Sequence, residues 1–397
     1  MLVPQKKIMS VVIALLLTIV VGSSRGDVPS TSSSDTPAAW VKAHGENVKN
    51  VNAKIDQDGE TLMHLAAQEG RVDVLAVLKE QGANINARDR NDWTPMHSAA
   101  KYGRVDTLKW LREQGEDVNA KTTRDGFTPM HLAASGGHLD AMKYLKEQGA
   151  DVNARCTRDI ARRMSNTMAE ATSQHYGGQT PMHFAAEGGH VDVMEWLKEQ
   201  GADVNTKDDG GETPMQRAAW GGHIAAMRWL KEQGVAVNDK SRLDDLLYSA
   251  AGTGRVDDMK WLKEQGADVN AKSMFGLTPM YSAAGKGHLD AMKWLREQGA
   301  DINVKTENGW TPMHAAAGEG RLEAMKYLKE QGANVKAKAK NGWTPMHLAA
   351  AGGYVDAMKW LKEQGADINA KDKDGKTPLS VAYSDKAKEW LRANGAK

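Results

Sequence analysis

From Gly59 onward, apolar residues fall in short clusters at helical spacing, each cluster closed by glycine and followed by a polar run. The stretch from Asn341 to Ala370, NGWTPMHLAAAGGYVDAMKWLKEQGADINA, shows the pattern in one pass. Thr344 is placed to cap a helix N-terminus, with Pro345 at the first helical position, where its missing N–H costs nothing. Met346, Leu348, Ala349 and Ala350 make one apolar face, and Gly352-Gly353 ends the helix. A second helix, Val355 to Gln364, turns Val355, Met358, Trp360 and Leu361 inward and Asp356, Lys359, Lys362 and Glu363 outward. Gly365 closes it, and ADINAKDKDGK turns the chain back. Neither helix has the length or apolar width to fold alone, so each unit must be buried against its neighbours.

The pattern is periodic. GWTPMH occurs at Gly309–His314 and again at Gly342–His347, 33 positions apart. The Thr of this motif recurs at Thr61, Thr94, Thr128, Thr180, Thr213, Thr278, Thr311, Thr344 and Thr377, at intervals of 33, 34, 52, 33, 65, 33, 33 and 33. The 65-residue interval hides a degenerate copy whose Asp245 stands 32 after Thr213 and 33 before Thr278. Residues 59–397 are therefore ten copies of one unit.

The unit resembles the ankyrin repeat, whose pattern G-x-T-P-L-H-x-A-A-x-x-G-H ending in G-A-D-V-N-A is matched almost throughout, with Met for the usual Leu after Pro in most copies. The resemblance implies an all-α repeat fold, a solenoid of stacked helix-turn-helix units with β-turn fingers on one side. It also implies a protein-binding role through the concave finger and inner-helix surface.

The array, residues 36–397, has punctuation. Residues 36–58 resemble half a unit and suit an N-terminal cap, and residues 373–397, with a shortened connection, suit a C-terminal one. An inserted segment at 155–175 lengthens one finger; Ile160, Met164, Thr167, Met168 and Ala171 lie at helical spacing within it. It reads either as a tolerated insertion or as a partner-contacting protrusion. The degenerate copy at 240–272 reads either as drift in one unit or as a hinge near 240.

Ahead of the array, Lys6-Lys7 and an apolar run from Ile8 to Val21 give residues 1–26 the pattern of a secretory signal peptide, with 27–35 a flexible polar spacer. This predicts export, to a periplasm or the outside; an uncleaved single-pass anchor is the alternative. Lys+Arg 52 against Asp+Glu 51 leaves +1, so no net field draws nucleic acid. The single cysteine, Cys156, cannot form an internal disulfide. A monomer is expected.

The residues offer no reaction. Ten of the 12 histidines belong to the repeat: His64, His97, His131, His183, His314 and His347 after Thr-Pro or Thr-Leu, and His138, His190, His223 and His288 after the inter-helix glycine. In the ankyrin family the first set joins neighbouring turns by hydrogen bonds. No HExxH, CxxC, GxSxG, P-loop or dinucleotide fingerprint is present, so neither enzyme activity, metal nor cofactor is expected. Tryptophan is the more informative residue. Trp110, Trp196, Trp229, Trp261, Trp294, Trp360 and Trp390 sit beside Leu in the second helix, as core or groove residues. The residue before Thr, and those after Ala-Ala, are variable contact positions in ankyrin proteins. Here they supply Trp93, Lys101, Tyr102 and Phe127 on units two and three, Trp220 on unit five, and Leu277, Trp310 and Trp343, with the nearby Phe275, on units seven to nine. Aromatics in polar surroundings have the composition of a binding hot spot; the alternative is a duplicated Trp that packs on its neighbouring finger. Arg90, Lys101, Arg124 and Lys340 would tune specificity for a protein partner. With no metal expected, a chelator should leave the thermal unfolding curve unmoved; a large fall in midpoint would overturn that expectation.

Overall fold

The computed structural model of the chain describes residues 36–45, 50–157, 177–273 and 275–397. Residues 1–35, where the sequence reading puts a signal peptide and spacer, and most of the insert lie outside the described residues. Among those described there are 21 helices and no strand: one helix, Pro37–Gly45, then ten helix pairs running from Leu62–Glu69 with Val72–Glu80 to Pro378–Val381 with Asp385–Ala393. This is an all-helical repeat solenoid. No described helix is long and apolar enough to cross a membrane.

The unit read from Asn341–Ala370 folds as Pro345–Gly352 and Val355–Glu363, with Thr344 at the N-cap and Gly353 in the left-handed region at φ 76°. Met346, Ala349, Ala350, Ala357, Met358 and Leu361 are fully or almost fully buried. The inward set is thus shifted from the expected one. Ala357 takes the buried place, while Val355 and Trp360 are half-buried at the helix edge. A 3.6-residue period defines a face, but a small residue at its centre is what lets the neighbouring helix approach.

The chain divides into two compact units: residues up to Ala99 with Asp106–Glu116, and Ala100–Val105 with Asp117–Lys397. In the first, helix Pro37–Gly45 buries Trp40 and its indole N–H donates to Glu69 Oε2 at 2.6 Å. Asn52 donates its amide to the Gly82 carbonyl at 3.1 Å and accepts the Asn84 N–H at 2.7 Å, tying one finger to the next. Glu116 is the exception. It occupies a position that is Ala83, Ala150, Ala202, Ala267, Ala300 and Ala333 in other copies, and it is fully buried. Its Oε2 lies 3.3 Å from Thr94 Oγ1, and its Oε1 has no hydrogen-bond partner. Burial pushes its carboxyl up to about 8, with the Thr94 hydrogen bond opposing weakly, so the neutral acid is the resting form at pH 7.

In the second unit, the same Asn device recurs at Asn119, Asn270, Asn303 and Asn369, whose amides reach Gly149, Gly299, Gly332 and Gly395 carbonyls at 3.1–3.4 Å. The degenerate copy has a 14-residue helix, Lys240–Thr253, where a finger would stand. Asp239 caps it by accepting the Arg242 N–H at 3.0 Å. Arg242 reaches back to the carbonyls of Ala219 at 3.0 Å and Trp220 at 2.7 Å and lies over the Trp220 ring at 4.9 Å. Asp244 Oδ1 accepts the Asp268 N–H at 2.7 Å, replacing the ladder Asn. The break in the sequence pattern at 240 is therefore bridged by side chains on both sides.

One buried ion pair also stands in for apolar packing. Arg217 occupies the position of Leu132, Phe184 and Leu348, and its Nη2 lies 2.7 Å from Asp208 Oδ2, both side chains almost wholly buried. With its amide oxygen facing the guanidinium, Gln179 accepts from Arg217 at 2.8 and 2.9 Å. The pair closes its own hydrogen bonds, which is the condition for tolerating buried charge.

Glu116 gives a pH test. Its folded-state value lies above the unfolded one, so its contribution is fully present below about pH 4.5 and is lost as pH rises through about 8. Glu116→Ala should therefore stabilise the protein at pH 8–9 by about 1–3 kcal/mol and remove that part of the alkaline loss. Urea unfolding of both proteins at pH 5, 7 and 9 checks it; parallel pH profiles would refute it.

Candidate protein-binding face

The site positions are set by the caps beneath them. At each Thr-x-x-His, histidine Nδ1 accepts the Thr backbone N–H: Thr61 to His64 at 3.2 Å, Thr128 to His131 at 3.1 Å, Thr311 to His314 at 3.1 Å and Thr344 to His347 at 3.2 Å. That acceptance leaves the proton on Nε2, which donates to the carbonyl before the next Thr. The recipients are Trp93 at 2.9 Å from His64, Gln179 at 3.2 Å from His131, Glu212 at 3.1 Å from His183, Trp343 at 3.2 Å from His314 and Lys376 at 3.2 Å from His347. So in these five copies the backbone before the Thr is held by the preceding unit, Trp93 and Trp343 among them. The second histidine set bonds backwards: His138 to the Lys101 carbonyl at 2.9 Å, His190 to Ser135 at 3.2 Å and His288 to Gly252 at 3.0 Å. A Cβ on Gly137 would come within 2.5 Å of the His190 ring, and its φ of 72° also favours glycine. The forward bond is missing where Gln216, Tyr248 and Tyr281 replace His.

In the first compact unit, Trp93 is half-buried, its carbonyl held by His64. In the second, Phe127 is also half-buried and meets Phe184 edge-on, with centroids 5.5 Å apart. Phe184 was not expected at this face. Lys101 is half-buried, donates to Ser135 Oγ at 3.1 Å, and is pulled below the usual lysine range by burial. Tyr102 is 39% exposed, Trp220 55% and Phe275 60%; Leu277 is half-buried.

Trp310 and Trp343 come together. Their rings meet edge to face at 6.2 Å, Trp310 packs edge-on against His314, and Trp343 stacks on His347. The Trp343 indole N–H donates to Asp372 Oδ2 of the next finger at 3.0 Å. Each ring thus packs on its neighbouring finger and is still half-exposed. Phe275 makes no ring contact with this pair among the described residues. Sequence reading also passed over Tyr354, 36% exposed, and Tyr383, 88% exposed. The first stands in an inter-helix His position and the second in the shortened last unit, where the repeat register gives no contact role.

Among the described residues no three His, Cys, Asp or Glu side chains are grouped to hold a metal ion. Cys156 is buried beside the Gln179 backbone, and burial pushes its thiol up to about 12.

Family models described as ankyrin repeats (3 copies) match residues 37–122, 90–156, 246–339 and 333–397. Models described as ankyrin repeats (many copies) match 133–197 and 182–230. The chain belongs to the ankyrin-repeat family. The gap between matches, 231–245, coincides with the segment where helix Lys240–Thr253 replaces the finger. No curated protein matched the chain. Ankyrin repeats are generally protein-interaction modules, and such proteins are typically non-catalytic scaffolds.

The histidine bonds predict acid sensitivity. Burial holds His64, His183, His314 and His347 below the usual imidazole range, His183 and His314 at about 4. The unfolded chain takes up these protons first, so the stability they contribute is full above pH 6.5 and lost as pH falls towards about 4. His314→Gln keeps an acceptor for the Thr311 N–H, as Gln216 does for Thr213 at 2.9 Å. It should reduce the slope of stability against pH in that window by up to about 1.4 kcal/mol per pH unit. Urea titrations at pH 7, 6, 5 and 4.5 read it, and an unchanged slope would refute the coupling.

Proposed function

We propose that this chain is a non-catalytic, exported protein-interaction module that docks a protein partner on its finger tips and inner-helix face. The observation that carries this reading is the half-exposed Trp310–Trp343 pair, rings 6.2 Å apart, with the Trp343 carbonyl held by His314 and the Trp310 carbonyl by the Thr306 N–H of its own finger at 2.9 Å. Two large rings held in one geometry lose little entropy on binding and provide the apolar anchor of a hot spot. Trp220 and Phe275 extend the apolar supply on the second compact unit, and Trp93 with its neighbours does so on the first. Near-neutral net charge agrees with recognition by shape and local contacts rather than a long-range field.

Export rests on the sequence of residues 1–26, and the mass of the mature chain decides it: loss of about that segment supports a cleaved signal, retention a membrane-tethered scaffold. The binding test is a capture experiment from the exported fraction with residues 36–397 as bait. Beside it runs the variant Trp93→Ala, Trp310→Ala, Trp343→Ala, first shown by circular dichroism to remain folded. A partner held by the parent and reduced at least tenfold on the variant is the expected result. Equal capture would move the site away from these rings, and no capture by either would refute the interaction reading in that fraction.

A further inference from the structure

The finger at residues 334–343, NVKAKAKNGW, departs from its neighbours at two positions whose side chains hold the other fingers, while Asn334 still accepts the Lys336 N–H at 2.9 Å and Asn341 Oδ1 takes the Trp343 N–H at 3.1 Å. Where Asn303 and Asn369 donate to the next unit's Gly332 and Gly395 and accept the N–H groups of Asn334 and Lys397, this finger has Lys336. An ammonium cannot accept an N–H, so that bond to the following unit is given up. Where Asp372 Oδ1 accepts the Asp374 and Lys376 N–H groups at 2.9 and 2.8 Å, and Thr306 Oγ1 the Trp310 N–H at 3.1 Å, this finger has Ala339. Where the previous finger has Glu307, this one has Lys340. Its opening residue is Asn334 in place of Asp301 and Asp367.

The change to Lys336 costs a bond between units, and all of these changes act in one direction on charge. The finger carries Lys336, Lys338 and Lys340 with no acid, while Asp301 and Glu307 before it and Asp367, Asp372 and Asp374 after it keep its neighbours at zero or negative charge. Val335, Ala337 and Ala339 are buried and alternate with the three lysines, which are therefore all exposed. No ion pair among the described residues uses them, although their neighbours offer carboxylates. The tip itself is fixed by backbone: the Lys340 N–H donates to the Asn308 carbonyl at 2.8 Å and the Asn341 carbonyl accepts the Lys373 N–H at 2.9 Å. Trp343 stands at the end of the same finger, against Trp310.

We propose that this finger is the charge-reading part of the docking face, and that it takes a short, extended acidic segment of a protein partner. Carboxylates of the segment face Lys336, Lys338 and Lys340, and an adjoining apolar side chain sits on Trp310 and Trp343. A finger with three lysines and no acid, between neighbours whose lysines (Lys305 before it; Lys371, Lys373 and Lys376 after it) are matched or outnumbered by acids, fits a local run of Asp or Glu. A nucleic-acid backbone crossing several fingers would meet Asp301, Glu307, Asp367, Asp372 and Asp374 beside the flanking lysines, fingers with no net positive charge, and the net charge of +1 offers it no compensating attraction. This inference rests on the protein-binding reading and adds the chemistry of the partner.

The test uses the full chain and a fluorescein-labelled ten-residue peptide alternating Glu and Val with a C-terminal Phe. Controls are the same peptide with Gln for Glu and a ten-nucleotide oligouridylate. The variant Lys336→Asn, Lys338→Gln, Lys340→Glu restores the ladder residue, so its melting midpoint should not fall. Fluorescence anisotropy should show the Glu peptide bound at least tenfold more tightly than the Gln peptide, weakened at least tenfold by the variant and by raising salt from 50 to 300 mM. Equal binding of Glu and Gln peptides, no loss on the variant, or tighter binding of oligouridylate would each overturn the proposal. A partner captured equally by parent and lysine variant, yet lost by the tryptophan variant, would leave the binding reading intact and remove only the acidic segment.

Discussion

The interaction on which the array depends is the bond each unit makes to the next, because no unit has a core of its own. A pair of seven- to nine-residue helices leaves most of its apolar face uncovered. Burial closes that gap only when a second pair lies against it, and small residues such as Ala349 and Ala357 set how near the pairs come. Burial alone does not fix register. The neutral histidine does so, accepting the Thr N–H on one nitrogen and donating to the next finger from the other. A single ring thereby caps one helix and places the contact residue of the following unit.

This economy has a chemical condition: imidazole must be neutral and dry. The same burial that strengthens the bond excludes the proton, which makes the array sensitive to acid. Glu116 carries the opposite sensitivity, since it is a carboxyl placed where the repeat elsewhere has alanine. Where the histidine is absent, other devices take over. Gln216 keeps the cap, while Arg242 and Asp244 bridge the finger that the long helix replaces. Departure from the repeat is thus of two kinds. Some departures are repaired locally, as at Arg242 and Asp244. At Ala339, too, the Trp343 N–H turns to Asn341 Oδ1 at 3.1 Å. Others, such as Lys336, give up an accepting bond to the following unit, and these direct attention to a role outside the fold.

Much of the fold was legible because a repeat states its rules ten times. The Thr-Pro start, the closing glycine and the 33-residue period placed helix boundaries to within a residue in the unit Asn341–Ala370. The histidines could be removed from any list of catalytic residues for the same reason. The candidate face was less legible. Its positions followed from register, but register does not say that Trp343 is tied to Asp372, that Lys101 is half-buried against Ser135, or that Phe127 meets Phe184. Each of those contacts joins residues 29 to 57 positions apart, beyond the reach of any local pattern.

By itself the sequence determined the unit: its two helices, their caps, their polar and apolar faces, and the number of copies. It could do so because those properties arise from local backbone chemistry and from the spacing of side chains on a helix. Only the tertiary structure decided which of two equivalent apolar positions is central, as with Ala357 over Val355, and how far an aromatic side chain is covered. It also decided that Asp244 assumes the work of an asparagine. These are properties of the space between units, where the outcome depends on what the neighbour presents. A sequence writes that space twice, once on each facing unit, and only stacking the two shows what fills it.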